Sequence, residues 1–251
     1  MPLLGDPQHD EMVETLKKIA GSIDKPSAIL VISAHWEANI PMVTSGISPE
    51  LIYDYGGFPQ EAYEIQYPAS GEPKLANSVV DVLKTNGINV SKDDYRGFDH
   101  GLFVPLKIML PDADIPCVQL SLVGTLASEL HIRIGKALQE LQWDNLLVIG
   151  SGFSFHNMRA FFTPDSKEAS ANNIAFDNWL RETVSDRALP ESIREERLTH
   201  WASAPGARYC HPREEHLLPL HVCYGLASKS SDQVFRAEIL KKQSSMFHWS
   251  L

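Results

Sequence analysis

The segment AILVISAHWE, residues 28–37, limits the possible folds of this chain more than any other part of the sequence. Six of its first eight residues are apolar and three of these six are β-branched, which is typical of a strand buried inside a parallel sheet. We predict a strand over residues 28–34, followed directly by His35. The segment therefore predicts a fold built around a covered sheet.

Strand-like and helix-like segments alternate along the rest of the chain. Further strands are predicted at residues 88–90, at about 116–122 and at 145–152. The spacing of apolar residues predicts helices within the segments 7–23, 71–87, 100–110, 127–141, 168–186 and 213–228. This alternation is typical of an α/β fold. We expect a single three-layer domain over residues 1–251, with a central, largely parallel or mixed sheet flanked by helices.

The composition argues against several kinds of partner. The chain has 22 basic and 32 acidic residues, a net charge of −10, and no basic run long enough to follow a phosphate backbone, so we expect no nucleic-acid partner. Its longest apolar runs have strand length, which predicts no membrane contact. No secretory signal is recognisable, and Cys117, Cys210 and Cys223 lack CxxC spacing. We therefore expect reduced thiols and a cytoplasmic location.

Four of the ten histidines lie at predicted element boundaries. His35 and His156 follow strands, His100 precedes a helix, and His216 lies at the start of a late helix. Sites in parallel sheets form beyond the carboxyl ends of the strands, and neutral imidazole is a common ligand of Zn²⁺ and Fe²⁺. Without HExxH or CxxC, local spacing supports a metal only weakly, and a single boundary histidine is ordinarily structural. The other six histidines are interpreted as surface or structural.

The segment YDYGGFPQEAYEIQYPASGEP, residues 53–73, predicts a long ordered loop because it carries four tyrosines and a phenylalanine. Aromatic loops over a sheet edge can line a pocket, and we interpret Tyr55 and Phe58 as substrate-binding residues. A serine nucleophile, Ser151 or Ser154 beside His156, is a weaker alternative because no acid partner is marked.

Seven motifs resemble, in order, those of the class III extradiol ring-cleaving dioxygenases of the LigB-like superfamily, and within it the 4,5-DOPA dioxygenase branch. They span about residues 1–226: SAHWE, YDYGGFP, YPASGEP, RGFDHGLFVPL, ADIPCVQLSL, GSGFSFHN and HPREEHLLPL. The resemblance implies an enzyme that inserts O₂ into a catechol, a small aromatic diol, at one Fe(II) or Zn(II) ion per chain. It is less specific about the substrate and leaves a monomer and a homodimer open.

The resemblance also implies roles for individual residues. His35 and His216 correspond to metal ligands, and His156 to an active-site acid/base that is also a candidate ligand. His100 corresponds to a histidine that contacts substrate or oxygen. Arg96, Arg159 and Arg213 lie next to these motifs and are candidate partners of a substrate carboxylate, although solvated surface arginines are common.

One departure from the family concerns an HGGGP-type motif, whose histidine supplies a further ligand. It precedes the segment matched here by MPLLGDP, where this sequence begins. We interpret this either as a start at an internal methionine or as loss of the ligand, with His9, in what resembles an exposed helix start, as a conceivable substitute. Two other functions stay open on the same fold: a zinc-dependent hydrolase, and a metal-depleted binding protein without activity.

Overall fold

The computed structural model describes all residues from 1 to 251, which include nine strands, nine α-helices and four short 3₁₀ helices. The strands are β1 (Ala28–Ala38), β2 (Met42–Thr44), β3 (Leu51–Ile52), β4 (Ser91–Asp93), β5 (Phe98–Asp99), β6 (Cys117–Val123), β7 (Leu146–Ser151), β8 (Gln233–Ile239) and β9 (Lys242–His248). The helices are α1 (Asp10–Ala20), α2 (Pro73–Thr85), α3 (His100–Met109), α4 (Ser128–Leu138), α5 (Met158–Phe161), α6 (Lys167–Ser185), α7 (Glu191–Thr199), α8 (Ala207–Cys210) and α9 (Leu218–Ala227). None of the helices combines the length and apolar character needed to cross a membrane.

The central sheet has five strands in the order β4-β2-β6-β1-β7. β1 lies between β6 and β7 and is parallel to both, and β2 is parallel to β4. The one antiparallel junction joins β2 to β6. The prediction of an α/β fold with a largely parallel or mixed central sheet is confirmed.

Helices cover both faces of this sheet. Alternate residues of β1, among them Leu30 and Ile32, pack in one apolar cluster with residues of α2, α4 and α9. The residues between them, Ile29 and Val31, pack on the opposite face with residues of α3. Since successive side chains of a strand point to opposite faces, a strand covered on both sides is apolar throughout, as AILVI is. The resulting three layers confirm the predicted architecture.

β1 is longer than predicted, because it continues past residue 34 to Ala38. Ser33 pairs with Ser121 of β6, and the next paired residue is Glu37, opposite Leu122. Three residues therefore leave the ladder as a bulge, with His35 at its centre. Bulges redirect side chains near functional sites, and this one explains how a core strand presents a histidine without ending.

Two further boundaries differ from the prediction. Residues 88–90 are not a strand: Ile88 and Val90 lie in the core beneath α2, and pairing begins only at Ser91. Their apolar pattern marks burial rather than strand pairing. The helix predicted within 213–228 begins at Leu218, with Pro219 in its first turn, a position that suits proline because the missing N–H is not needed there. His216 therefore lies in the turn before α9.

The C-terminal hairpin of β8 and β9 has no counterpart in the sequence-based prediction. Ala237 and Ile239 of this hairpin pack against Met12 of α1 in a small separate cluster. The turn residues Leu240 and Lys241 both have positive φ, at 51° and 64°. Such turns usually carry Asn or Gly, so the sequence lacks the ordinary hairpin signal here.

Candidate metal centre and active site

The four boundary histidines come together as a row of imidazole rings. The ring centroids of His100 and His35 lie 3.8 Å apart, and those of His35 and His216 lie 4.9 Å apart. His216 and His156 stack with 3.4 Å between centroids and an interplanar angle of 17°. Residues separated by up to 181 positions therefore form one site.

Each ring comes from a different element near the carboxyl ends of β1 and β7. His35 lies in the bulge of β1, and His100 is the first residue of α3. His156 follows β7, and His216 precedes α9. Because β1 and β7 are adjacent and parallel, their carboxyl ends meet at the same sheet edge, where sites of α/β proteins form.

Two glycines permit the close packing of these elements. A Cβ on Gly101 would lie 2.4 Å from Ser33 Oγ and 3.1 Å from Cδ2 of His35. A Cβ on Gly152 would lie 2.2 Å from the carbonyl oxygen of His216. Gly101 makes room for the side chains of Ser33 and His35, and Gly152 makes room for the backbone of His216, which gives Gly101 of RGFDHG and Gly152 of GSGFSFHN a structural reason.

A carboxylate lies beside the ring at each end of the row. Nδ1 of His100 lies 2.7 Å from Oδ1 of Asp54, and Nδ1 of His156 lies 3.4 Å from Oε1 of Glu215. Two sets of three side chains result, within each of which the ligand atoms lie within 4.8 Å of one another: His35, Asp54 and His100, and His156, Glu215 and His216.

Neither Asp54 nor Glu215 is predicted from the sequence as a site residue. Both lie inside quoted motifs, Asp54 between two tyrosines of YDYGGFP and Glu215 directly before His216. Their position in those motifs was the available signal. Burial opposes ionisation of both, but the hydrogen bond and charge of the adjacent histidine lower the pKa of each carboxyl. Both are therefore ionised at neutral pH.

The two central rings are neutral, as metal ligands must be. Burial, followed by the charge on His100, lowers the pKa of His35 to about 4. Burial and the neighbouring imidazoles of His156 and His35 lower the pKa of His216 well below its usual range. Nδ1 of His216 is buried and has no hydrogen-bond partner. An unpaired buried nitrogen costs about 1–3 kcal/mol, so this atom is suited to an ion or to a group that accompanies one.

The residues present fit a metal ion. Each of the two sets supplies two imidazole nitrogens and one carboxylate oxygen, donors that suit Zn²⁺ and Fe²⁺. Two negative charges beside the row would also balance a divalent cation.

A buried carboxylate supports the rings from behind. Asp99 is fully buried and accepts hydrogen bonds from Ser33 Oγ at 2.8 Å, from the Gly101 N–H at 3.0 Å and from Arg96 at 3.2 Å. Ser33 Oγ in turn accepts the backbone N–H of His35 at 3.2 Å. Burial raises the pKa of Asp99. This network fixes the β1 bulge against the first turn of α3.

Arg213 is bound by two carboxylates of the protein. Its guanidinium donates two hydrogen bonds of 2.6 Å to Glu37 and lies 3.3 Å from Glu215. These hydrogen bonds raise its pKa. A substrate carboxylate could bind Arg213 only in competition with Glu37 and Glu215.

The other two candidate arginines differ from each other. Arg96 stacks on the Trp36 ring at 4.5 Å and binds Asp99, so its charge is already paired. Arg159, on α5, is exposed to solvent.

The loop predicted over residues 53–73 is ordered by its own aromatic contacts. The Tyr55 ring meets His100 edge-on at 5.3 Å, and Phe58 meets Tyr55 at 5.6 Å. The phenol groups of Tyr53 and Tyr55 donate to carbonyl oxygens within the loop. Tyr55 and Phe58, predicted to contact substrate, therefore lie on the His100 side of the row.

The remaining candidates lie apart from the row. His9 is buried beside Asp6, at 3.1 Å, so it is not the exposed residue that the sequence predicts. Ser154 Oγ accepts the backbone N–H of Ser245 in β9 rather than pairing with His156. His131, His211 and His221 are buried, and each has a ring nitrogen at hydrogen-bond distance from a backbone carbonyl, which agrees with their structural interpretation.

Comparison with known proteins gives consistent matches over nearly the whole chain. The family model described as the catalytic LigB subunit of aromatic ring-opening dioxygenase matches residues 5–250. The dioxygenase tasH of Hapsidospora irregularis is 39% identical over 241 residues, covering 90% of this chain and 74% of that protein. The 4,5-DOPA dioxygenase extradiol of Beta vulgaris is 42% identical over 209 residues, covering 82% and 75%.

Two matches of lower identity also cover most of the chain. The 4,5-DOPA dioxygenase extradiol of Escherichia coli K12 is 32% identical, covering 81% of this chain and 74% of that protein. A crystal structure of an uncharacterized Escherichia coli K12 protein superposes with a TM-score of 0.76 at 27% identity, covering 94% of this chain and 91% of that one.

Proposed function

Because the chain belongs to the family of the catalytic LigB subunit of aromatic ring-opening dioxygenases, we propose that it inserts both atoms of O₂ into a catechol at the bond beside the two hydroxyls. The relatives support an enzyme of the ring-cleaving dioxygenase class. The observation that carries the proposal is the row of four imidazoles with a carboxylate at each end and a buried, unpaired nitrogen on His216.

In this proposal His35 and His216 hold one divalent ion. Their rings are central in the row, and their low pKa values keep each ring neutral at neutral pH, so that one nitrogen of each ring is unprotonated and can bind a metal. Fe²⁺ bound there would supply the redox chemistry that brings catechol and O₂ to react, whereas Zn²⁺ has no redox chemistry of its own.

His156 acts as the base for the second catechol proton. Its Nδ1 faces Glu215, so its Nε2 is the nitrogen left to receive a proton from the substrate hydroxyl. The His156 ring stacks on that of His216, a proposed ligand, with 3.4 Å between ring centroids, so His156 would lie beside a metal held by His216.

His100, at the other end of the row, contacts the oxygen atoms of the substrate or of O₂, where negative charge develops during the reaction. Tyr55 and Phe58 form an aromatic wall beside His100 that suits a planar ring. Arg213 would select a catechol with a carboxylate only if that group displaced Glu37.

Oxygen consumption tests the function directly. The purified chain is loaded with Fe²⁺ under reducing conditions, and O₂ uptake is recorded with catechol and with DOPA. We expect one O₂ consumed per catechol and a product heavier by two oxygen atoms. Hydrolysis by the zinc form without O₂ would instead support a zinc hydrolase, and a chain that takes up neither metal would contradict both enzymatic functions.

A further inference from the structure

Asp54 binds His100 through two hydrogen bonds to the same oxygen. Oδ1 lies 2.7 Å from Nδ1 of the His100 ring and accepts the backbone N–H of His100 at 3.1 Å. The other oxygen, Oδ2, lies 3.8 Å from Nδ1 of His35, beyond hydrogen-bond distance. The strong contacts of Asp54 are therefore to His100 alone.

Asp54 also binds the backbone at the start of α3. His100 and the following Gly101 supply two of the backbone N–H groups that a helix leaves without internal partners. Asp54 accepts the first and Asp99 accepts the second. The His100 backbone and ring are thus held by one carboxylate, which fixes the direction of the side chain as well as its position.

Asp54 is itself held in place by its neighbours. The phenol of Tyr53 donates to the Ile65 carbonyl at 2.6 Å, and that of Tyr55 donates to the Ala62 carbonyl at 2.5 Å. The Tyr55 ring also packs edge-on against His100. Two anchored side chains therefore flank the carboxylate in the sequence and limit its movement.

The contact at Nδ1 decides which ring nitrogen is available to a substrate. A carboxylate only accepts hydrogen bonds, so Nδ1 must carry a proton. Nε2 is then the nitrogen left to face the substrate, in a ring that cannot rotate without breaking the bond to Asp54. A partner at the second nitrogen commonly fixes the tautomer and orientation of a functional histidine.

We propose that Asp54 is a positioning residue that keeps the proton of His100 on Nδ1 and presents Nε2 to the substrate. The catalytic consequence rests on the role given to His100 under the proposed function. The tautomer itself does not depend on that role.

The test combines a spectroscopic measurement with kinetics on the full chain. Nitrogen-15 spectra of histidine-labelled protein in the diamagnetic zinc-loaded form report which nitrogen of His100 is protonated, with the His100 signals assigned through His100→Gln. The variants are Asp54→Ala, Asp54→Asn, and Glu64→Ala, which removes an exposed carboxylate from the same loop as a control. Metal content and the steady-state constants of the iron form are measured in parallel.

In the wild-type chain we expect a proton on Nδ1 of His100. Asp54→Ala should convert a large part of the population to the Nε2–H tautomer and lower kcat about 10- to 100-fold, with KM and metal content unchanged. Asp54→Asn should keep the Nδ1–H tautomer and restore most of kcat, because the amide oxygen still accepts a hydrogen bond. Glu64→Ala should behave as the wild type.

Two results would overturn the proposal. An unchanged His100 spectrum in Asp54→Ala would show that the carboxylate does not set the tautomer, and loss of metal in that variant would make Asp54 a ligand instead. Failure of the proposed function is distinguishable, since it would appear as absent O₂ uptake by the wild-type iron form whatever the spectra show.

Discussion

The contact between Gly152 and the backbone of His216 predicts that one added methyl group disrupts the metal centre. In Gly152→Ala the new Cβ would lie 2.2 Å from the His216 carbonyl oxygen and 3.0 Å from its carbonyl carbon. Both atoms belong to the backbone, so no side-chain rotation can relieve the contact. The strand end and the turn before α9 must move apart.

The size of that movement follows from the distances. Ordinary contacts begin at 3.4 Å, so the His216 carbonyl must withdraw by about 1.2 Å. Overpacking of this kind costs about 1–3 kcal/mol of stability. A shift of about 1 Å in a residue that positions reacting groups lowers a rate by about 100-fold. We therefore expect a modest loss of stability with a large loss of metal affinity and turnover.

Three measurements on Gly152→Ala check this reasoning: the melting temperature, the metal retained after dialysis, and O₂ uptake with a catechol. For a chain of this size each kcal/mol lowers Tm by about 2–4 °C. Gly21→Ala is the matched control, because its Cβ would approach no atom closer than the Lys17 oxygen at 3.5 Å. The reasoning is refuted if Gly152→Ala melts, binds metal and turns over as Gly21→Ala does.

Three other outcomes are expected. His35→Ala and His216→Ala should each abolish metal retention, measured by elemental analysis, whereas His156→Ala should keep the metal and lose turnover; an empty site in His156→Ala would make that residue a ligand. Burial lowers the pKa of His131 from 6.5 to about 4. Between pH 6.5 and pH 4 the unfolded state therefore binds more protons than the folded state. The free energy of unfolding should fall by about 3 kcal/mol as the pH drops from 6.5 to 4. Urea titrations of the metal-free chain should show that the free energy of unfolding of His131→Gln falls less steeply with decreasing pH than that of the wild type. Equal pH dependence in the two chains would contradict the lowered pKa of His131. Arg194→Ala should cost about 3–5 kcal/mol in the same assay, because the fully buried guanidinium donates to three backbone carbonyls, those of Thr183 in the last turn of α6 and of Asp186 and Leu189 after it; a loss below about 1 kcal/mol would mean that water replaces the guanidinium.

The sequence predicts the elements of this fold well where local pattern and burial coincide. The apolar run at 28–32 gives β1 because both its faces are covered, and the alternation of segments gives the layers. The extension of β1 to Ala38 was not predictable, because the bulge depends on the pairing of Glu37 with Leu122 in another strand. The hairpin was missed because Leu240 and Lys241 adopt positive φ without the residues that usually mark it.

Some residues of the site could likewise be predicted from the sequence and others could not. Its histidines could be identified because they recur at element ends and within ordered motifs. The contact of Asp54 with His100 spans 46 residues, so no local spacing predicts it. Arg213 likewise pairs with Glu37 across 176 residues, a contact that only the folded chain creates.

The distance along the chain between the two proposed ligands has a consequence for folding. His35 and His216 are separated by 181 residues, so an ion bound by both would close a loop containing most of the protein. In the chain-entropy model a cross-link over such a loop lowers the conformational entropy of the unfolded state, which raises its free energy by about 5 kcal/mol. During synthesis the second ligand emerges only after all five strands of the central sheet have been synthesised. The metal centre would therefore be completed late, and its ion would stabilise the fold by tying the first strand to the turn before the last helix.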